Sequence, residues 1–163
     1  MRSKAVLDSS PASAARNATP LGCSSLKLRQ LSRRVSQHFD RIVGEAGLKT
    51  TQYSLLSHIT RLGPIRPGEL ADVMEMEPST LTRNLQPLIA HGWVVLGAGA
   101  DGRSRSIEAT DAGRAKRSEA QREWKRAQMT LNERLGPQRV AHLHSVIDEC
   151  LALMNNTEGN RDE

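Results

Sequence analysis

Hydrophobic residues recur every three or four positions in two stretches between residues 28 and 62. This period predicts two amphipathic helices, because side chains three and four residues apart share one face of an α-helix. Ser24 or Ser25 can cap the first helix, and Thr50 or Thr51 can cap the second. The apolar positions are Leu28, Leu31, Val35, Phe39 and Ile42 in the first helix, and Tyr53, Leu56, Ile59 and Leu62 in the second.

A short third helix and a longer fourth helix follow. The third is predicted after Arg66-Pro67, since proline is well placed in the first turn of a helix. The fourth spans residues 78–91 and contains Pro87, which is expected to remove one backbone hydrogen bond and bend the axis. Its apolar positions are Leu81, Leu85, Leu88 and Ile89, and its polar side carries Ser79, Thr80, Thr82, Arg83 and Asn84.

The hydrophobic period then changes from about 3.6 to 2 residues, as in a β-strand. Short strands are predicted at residues 93–96 and 106–109. The glycine-rich segment between them forms the tip of a hairpin and carries Arg103 and Arg105.

Two more helices complete the pattern. Thr110 is placed to cap a long helix that runs to about residue 134, and Gly136-Pro137 precedes the last one. Polar residues without a period at 1–22 and 155–163 predict flexible tails, so residues 24–154 are expected to form a single domain. The apolar positions of the last two helices are Ala120, Trp124, Ala127 and Leu131, then Val140, Leu143, Ile147, Leu151 and Met154.

This order of elements predicts a mainly α fold with a small β-hairpin wing, in other words a winged helix-turn-helix at about residues 50–110. The first turn of the fourth helix suits a phosphate, with hydroxyl donors from Ser79 and Thr80. Thr82, Arg83 and Asn84 have the chemistry to read base edges, and Arg103 and Arg105 can reach phosphates or a minor groove. The competing interpretation is an ordinary solvated helix surface and a solubilised turn.

Composition supports a polyanionic partner only in part. The chain of 163 residues has a formal net charge of +5, which suits double-stranded DNA. The segment 66–110, however, carries four arginines against six acidic residues, so DNA reading there would depend on a few placed arginines. No apolar run approaches the roughly 18 residues that span a bilayer, and no secretory signal is evident, so a cytoplasmic protein without a membrane partner is expected.

Self-association follows from the apolar pattern. The helices at about 25–46 and 111–154 lie outside the DNA-reading unit, yet each has a full apolar stripe. A compact unit of under a hundred residues cannot cover all of them. Pairing across a two-fold axis would bury them and place two recognition helices about one DNA turn apart, which predicts a homodimer.

The chain resembles the MarR family of bacterial regulators over about residues 26–154. The wing, Asp-Gly-Arg-Ser-Arg-Ser-Ile-Glu-Ala-Thr-Asp-Ala-Gly at 101–113, is similar to the family signature Asp-x-Arg-x-x-x-Ile-x-Leu-Thr-x-x-Gly, with Ala109 in place of the usual leucine. Residues 79–88 resemble a common recognition-helix sequence of that family, including the internal proline. The resemblance implies a homodimer on a pseudo-palindromic operator, usually a repressor released by a small-molecule effector or by oxidation.

Other chemistry receives little support. No nucleophile elbow, phosphate-binding glycine loop or HExxH sequence occurs, so neither an enzyme nor a cofactor is expected. His142 and His144 diverge by about 200° around a helix and cannot share a metal ion, so no metal site is expected.

Three further hypotheses stay open at this stage. The family implies an effector pocket where the first, second and fifth helices meet, and His38, Tyr53 and Trp124 could line it or simply pack there. Cys23, just before the first helix, could make the regulator thiol-responsive, although an inert thiol is the simpler interpretation. The winged unit could also be a protein-interaction module without DNA binding.

Overall fold

The computed structural model describes residues 22–99 and 104–158, with side chains described up to residue 155. The chain divides into two compact units, Met1–Arg33 and Arg34–Glu163. In the described part of the first unit, residues 22–33, every side chain is exposed. Arg103 and most of both predicted tails lie outside the described residues.

Six α-helices and one antiparallel hairpin make up the described chain, which confirms the predicted fold class. A single turn of 3-10 helix, Gly44–Ala46, follows the first helix. The last helix continues to Glu158, into the segment predicted as a tail. The elements are α1 Ser24–Val43, α2 Thr50–Leu62, α3 Pro67–Val73, α4 Pro78–Ala90, β1 Val94–Ala98, β2 Arg105–Ala109, α5 Asp111–Leu135 and α6 Pro137–Glu158.

The main core lies between α2, α3, α4, the hairpin and the start of α5. The apolar stripes predicted for α2 and α4 supply much of it, because the helical period places their large side chains on one face. The large side chains with almost no solvent exposure include Leu55, Leu56, Ile59, Leu70, Leu81, Leu88, Val94 and Ile107. A smaller cluster joins Phe39 and Ile42 of α1 to Ala127 of α5.

The hairpin differs from its prediction at both strands. Trp93 lies outside β1, which instead continues to Ala98, and Arg105 lies in β2 opposite Ala98 instead of at the tip. The register pairs Leu96 with Ile107. Ile107 also exchanges backbone hydrogen bonds with Ile65, at 2.8 and 3.1 Å, so a third segment ahead of α3 is tied to the wing. Side-chain period alone could not show where this pairing stops.

Hydrogen bonds and close packing define the starts of two helices. Thr110 caps α5 as predicted, with its hydroxyl oxygen accepting from the Gly113 N–H at 3.0 Å. Gly113 packs against the backbone of Trp93 so closely that a Cβ would lie 2.0 Å from the Trp93 carbonyl oxygen. At the start of α2, the Thr50 N–H donates to the Asp40 carboxylate of α1 at 2.8 Å, a cap that lies ten residues away.

The apolar stripes of α1 and α6 are only partly buried. In α1, Phe39, Ile42 and Val43 are buried, whereas Leu28 and Leu31 are exposed. In α6 the only buried side chain among those described is Val140. None of the described helices is both long enough and apolar enough to cross a bilayer.

Candidate nucleic-acid interface

One face of α4 is exposed along the helix. Ser79, Thr82, Arg83 and Gln86 are all exposed and are spaced three, four and seven residues apart, so they point in nearly the same direction. Thr80 is exposed beside them in the first turn, and Asn84 is half-buried at the margin. The sequence-predicted residues of α4 therefore cluster on one side, except that Asn84 is less available than expected.

The opposite face of α4 fixes this orientation. Leu81, Leu85 and Leu88 are buried in the core against α2, α3 and β1. Rotating the helix to hide its polar face would remove three leucines from the core, at a cost of about 1.5–3 kcal/mol for each side chain. Packing thus holds the polar face of α4 toward solvent.

Hydrogen bonding within the helix decides which donors remain free. The Thr82 hydroxyl donates to the Pro78 carbonyl at 2.9 Å, which leaves its methyl group and oxygen lone pairs on the surface. The Thr80 and Leu81 N–H groups both donate to the Glu77 carbonyl, and proline at 78 has no N–H. The hydroxyls of Ser79 and Thr80 are exposed side-chain donors at this end of the helix.

Gln86 was not among the residues selected from the sequence. It lies one turn beyond Arg83 on the same exposed face, and a glutamine amide can pair with adenine through two hydrogen bonds. The signal was present in the spacing, because position 86 continues the series 79, 82, 83.

The wing presents Arg105 from a strand. Arg105 is exposed and paired with Ala98 across the hairpin, where the backbone ladder holds its Cα more firmly than a free tip would. The ladder is extended toward the tip by a hydrogen bond of 2.7 Å from the Gly99 N–H to the Ser104 carbonyl.

The three residues suggested for an effector pocket do come together, but in close packing. Tyr53 and Trp124 stack with their ring centroids 6.1 Å apart, and Tyr53 is buried. His38 donates from Nε2 to the Ala127 carbonyl at 2.9 Å. Phe39 fills the space next to Trp124, with ring centroids 6.3 Å apart. This arrangement ties the second half of α1 to α5.

Cys23 and Cys150 are both exposed free thiols. Among the described residues, no three His, Cys, Asp or Glu side chains are grouped so as to hold a metal ion.

Comparison with known proteins agrees with this geometry. The model of the MarR family matches residues 46–104. The DNA-bound structure of the transcriptional regulator MosR from M. tuberculosis is 32% identical, with a TM-score of 0.63, and the match covers 79% of this chain and 98% of MosR. No curated protein sequence gives a significant match.

More distant structures share the fold. A probable transcriptional regulator from Pseudomonas aeruginosa has a TM-score of 0.72 at 23% identity, with 78% of this chain and 96% of that chain covered. A mutant of E. coli MarR complexed with operator DNA has a TM-score of 0.71 at 21% identity, with 78% and 92% covered. The match to the family model and the 32% identity to MosR show that the chain belongs to the MarR family of winged helix-turn-helix transcriptional regulators.

Proposed function

We propose that this protein regulates transcription by binding double-stranded DNA as a homodimer, with α4 in the major groove and the wing beside it. The observation that carries the proposal is the exposed polar face of α4, held outward by three buried leucines. The MosR and E. coli MarR matches are structures with DNA, which supports the same assignment.

Each exposed side chain is assigned a role by its chemistry. Arg83 and Gln86 are placed one turn apart to read a guanine and an adenine, and the Thr82 methyl can contact a thymine. Ser79 and Thr80 at the helix start are assigned to a phosphate, where the helix dipole also favours negative charge. Arg105, together with Arg103 outside the described residues, is assigned to the backbone or minor groove beside the wing. Asn84 is assigned a marginal contact at most, because it is half-buried.

The apolar face of α6 supports the homodimer. Its stripe begins at the buried Val140 and continues through Ile147, Leu151 and Met154, which are exposed in a single chain. Leu28 and Leu31 in the first half of α1 are exposed as well. Exposed apolar stripes of this kind mark interfaces, and two-fold pairing would cover them.

The family resemblance supports a proposal for the mode of regulation. We propose that the dimer represses transcription from a pseudo-palindromic operator and is released by a small-molecule effector. Its place of action is then the cytoplasm, where bacterial DNA is accessible. The packing of His38, Tyr53 and Trp124 favours a structural role for these residues.

Fluorescence anisotropy with the DNA upstream of the protein's own gene tests the proposal. We expect saturable binding at nanomolar protein and much weaker binding to a scrambled duplex of the same composition. Equal affinity for both duplexes would remove sequence-specific regulation. Absence of binding to either at low salt would favour the alternative of a protein-interaction module.

Reporter assays test whether the protein represses transcription, and peroxide treatment tests whether it responds to oxidation. Higher reporter expression on deletion of the gene would show repression. DNA affinity that is unchanged after peroxide would exclude a thiol sensor at Cys23, and a loss that thiols reverse would replace the effector hypothesis.

A further inference from the structure

A cleft of about 290 Å³ lies between the second half of α2 and the first half of α5. Every side chain that lines it is polar or charged, and no carboxylate is among them. The lining residues are Ser57, His58, Thr60, Arg61 and Arg117. The Tyr53–Trp124 stack is a separate feature, since neither aromatic ring lines the cleft. Two arginines therefore line the cavity, and no acidic side chain of the lining offsets their charge.

Two buried polar atoms of the lining have no hydrogen-bond partner, the Ser57 hydroxyl oxygen and Nε of Arg117. Buried polar groups in folded proteins are nearly always hydrogen-bonded, so each exception calls for a physical reason. Both atoms are donors beside the same cavity. A bound molecule that brings acceptor oxygens would satisfy both at once.

The remaining hydrogen bonds in the cleft show which donors a ligand would meet. Arg117 donates from Nη1 to Gln121 at 2.8 Å, so the edge of its guanidinium formed by Nε and Nη2 is left for a bidentate acceptor. The Thr60 hydroxyl donates to the Leu56 carbonyl at 2.7 Å, and His58 donates from Nδ1 to the Ser54 carbonyl at 2.8 Å. Arg61 is exposed at the rim and has no ion pair within the described chain.

We propose that this cleft binds the phosphate group of a small hydrophilic molecule. A phosphate monoester carries nearly two negative charges and three terminal oxygens. It can therefore accept from the Arg117 edge, the Ser57 hydroxyl and Arg61 together, whereas a carboxylate has only two oxygens and one charge. The cavity also exceeds the size of free phosphate, which leaves space for a short polyol or sugar.

The position of the cleft gives such binding a consequence for DNA binding, and this step rests on the proposed function. α2 packs against α4 and β2, and α5 begins directly after β2. A phosphate that bridges α2 and α5 would restrain the winged unit relative to the helix that leads to the dimer interface. The distance between the two recognition helices, and hence operator affinity, would change.

Isothermal titration calorimetry of the full-length protein tests the site without DNA. The probes are inorganic phosphate, glycerol 3-phosphate, glycerol and benzoate. We expect both phosphates to bind and glycerol and benzoate not to bind. Tighter binding of glycerol 3-phosphate would identify a phosphorylated metabolite as the source, and equal affinity would identify free phosphate. Tighter binding of benzoate, or no binding of either phosphate at millimolar concentration, would overturn the proposal.

Two variants distinguish binding in the cleft from non-specific attraction of phosphate to the positive charge of the protein. Arg117→Gln is expected to weaken phosphate binding at least about tenfold, because a charge-assisted bidentate contact is lost. Arg122→Gln, an exposed arginine of α5 that does not line the cleft, should leave it unchanged. Equal losses in the two variants would overturn the proposal.

Ser57→Ala supplies a readout that a purely structural role would not give. Without phosphate the variant should unfold at the same temperature as the wild type or higher, because a buried hydroxyl without a partner is removed. Its thermal shift on adding glycerol 3-phosphate should nevertheless be smaller. A lower unfolding temperature with an undiminished ligand shift would overturn the assignment of Ser57.

Operator binding with and without glycerol 3-phosphate tests the regulatory step. A change in affinity in the wild type that is absent in Arg117→Gln supports it. Phosphate binding by calorimetry with no change in operator affinity would overturn regulation and leave the site intact. A protein that binds no operator at all would refute the proposed function, while the calorimetry still decides the cleft.

Discussion

In a single chain, the apolar face of α4 is buried, whereas most of the apolar face of α6 is exposed to solvent. Leu81 and Leu88 of α4 are 1% and 0% exposed, because α2, α3 and the hairpin close over them. Leu151 and Met154 of α6 are 50% and 69% exposed, although the two helices have comparable apolar stripes in the sequence. The period of a helix shows that a face must be buried, but it does not show which molecule buries it.

The difference separates a winged unit that buries its own apolar faces from a helix, α6, whose apolar face is assigned to the proposed dimer. The winged unit has its own core, so substitutions on the exposed side of α4 should not disrupt the fold. α6 has one buried residue among those described, so the proposed dimer contact would supply most of its stabilisation. Predictions for the two parts therefore differ in their dependence on protein concentration.

The largest effect is expected from a charge in the α6 stripe. Leu151→Asp would place an unpaired carboxylate in the proposed interface, where desolvation costs several kcal/mol. The dissociation constant of the dimer should rise at least about a hundredfold, near 3 kcal/mol. Sedimentation velocity at micromolar protein should then show monomer or unfolded chain.

His142→Asp is the matched control for the α6 stripe. His142 is exposed on the same helix outside the stripe, so this variant should remain dimeric. If Leu151→Asp kept the wild-type sedimentation coefficient, the contrast between α4 and α6 would have to be explained without a dimer.

Shortening a core side chain of the winged unit should lower stability by an amount that does not depend on protein concentration. Leu88→Ala removes a fully buried side chain and is expected to lower the free energy of unfolding by about 2–5 kcal/mol. Urea denaturation at several protein concentrations measures this loss, whose size should stay constant once the dimer is saturated. Val73→Ala, on an exposed position of α3, should change stability by no more than about 0.5 kcal/mol.

Much of the fold could be predicted because its signals are local. The helices, the Thr110 cap and the hairpin depend on residues within a few positions of one another. The features missed are set by distant partners. Ile65 extends the wing from outside the hairpin, and Asp40 caps α2 from α1. Arg105 lies in a strand only because Ala98 pairs with it.

The exposure of the candidate residues on α4 was predictable for the same reason. The sequence predicts a polar face with Ser79, Thr80, Thr82 and Arg83, because an amphipathic helix exposes its polar side to solvent. The degree of burial of Asn84 could not be predicted, since it depends on how α4 is rotated against α2 and α3. The cleft at Ser57 and Arg117 joins residues sixty positions apart, and no periodicity in either helix indicates that they meet.

A smaller effect is expected on the exposed side of α4. Arg83→Ala should weaken binding to the cognate site by about 1–3 kcal/mol and relax the preference at one base pair. Its unfolding curve should match that of the wild type, because Arg83 is exposed and contributes nothing to the core. Binding-site selection with both proteins measures the preference, with Arg122→Ala as control. An unaltered preference would mean that α4 does not read the bases.

The smallest effect concerns α5, which connects the two regions. Lys116 donates to the Ala46 carbonyl at 3.1 Å and to the Glu119 carboxylate at 2.8 Å, with its amine 5.5 Å from the centre of the Trp93 ring. The hydrogen bond from Lys116, together with its charge, holds the pKa of Glu119 below the ordinary value of 4.5. Both groups are partly exposed, so solvent screening keeps the contribution small.

The sign follows from the direction of the shift. Since the pKa of Glu119 is lower in the folded state, its ionisation stabilises the fold above pH 4.5, and this contribution is lost as the pH falls through the folded value. Glu119→Gln should therefore be less stable than the wild type near neutral pH, and the difference should vanish in acid. Urea denaturation between pH 3 and 7 measures it. Glu133→Gln, on the same helix without an ion pair in the described chain, should show no such convergence. A gap between wild type and Glu119→Gln that persists unchanged at pH 3 would show that the amide disturbs packing instead of charge.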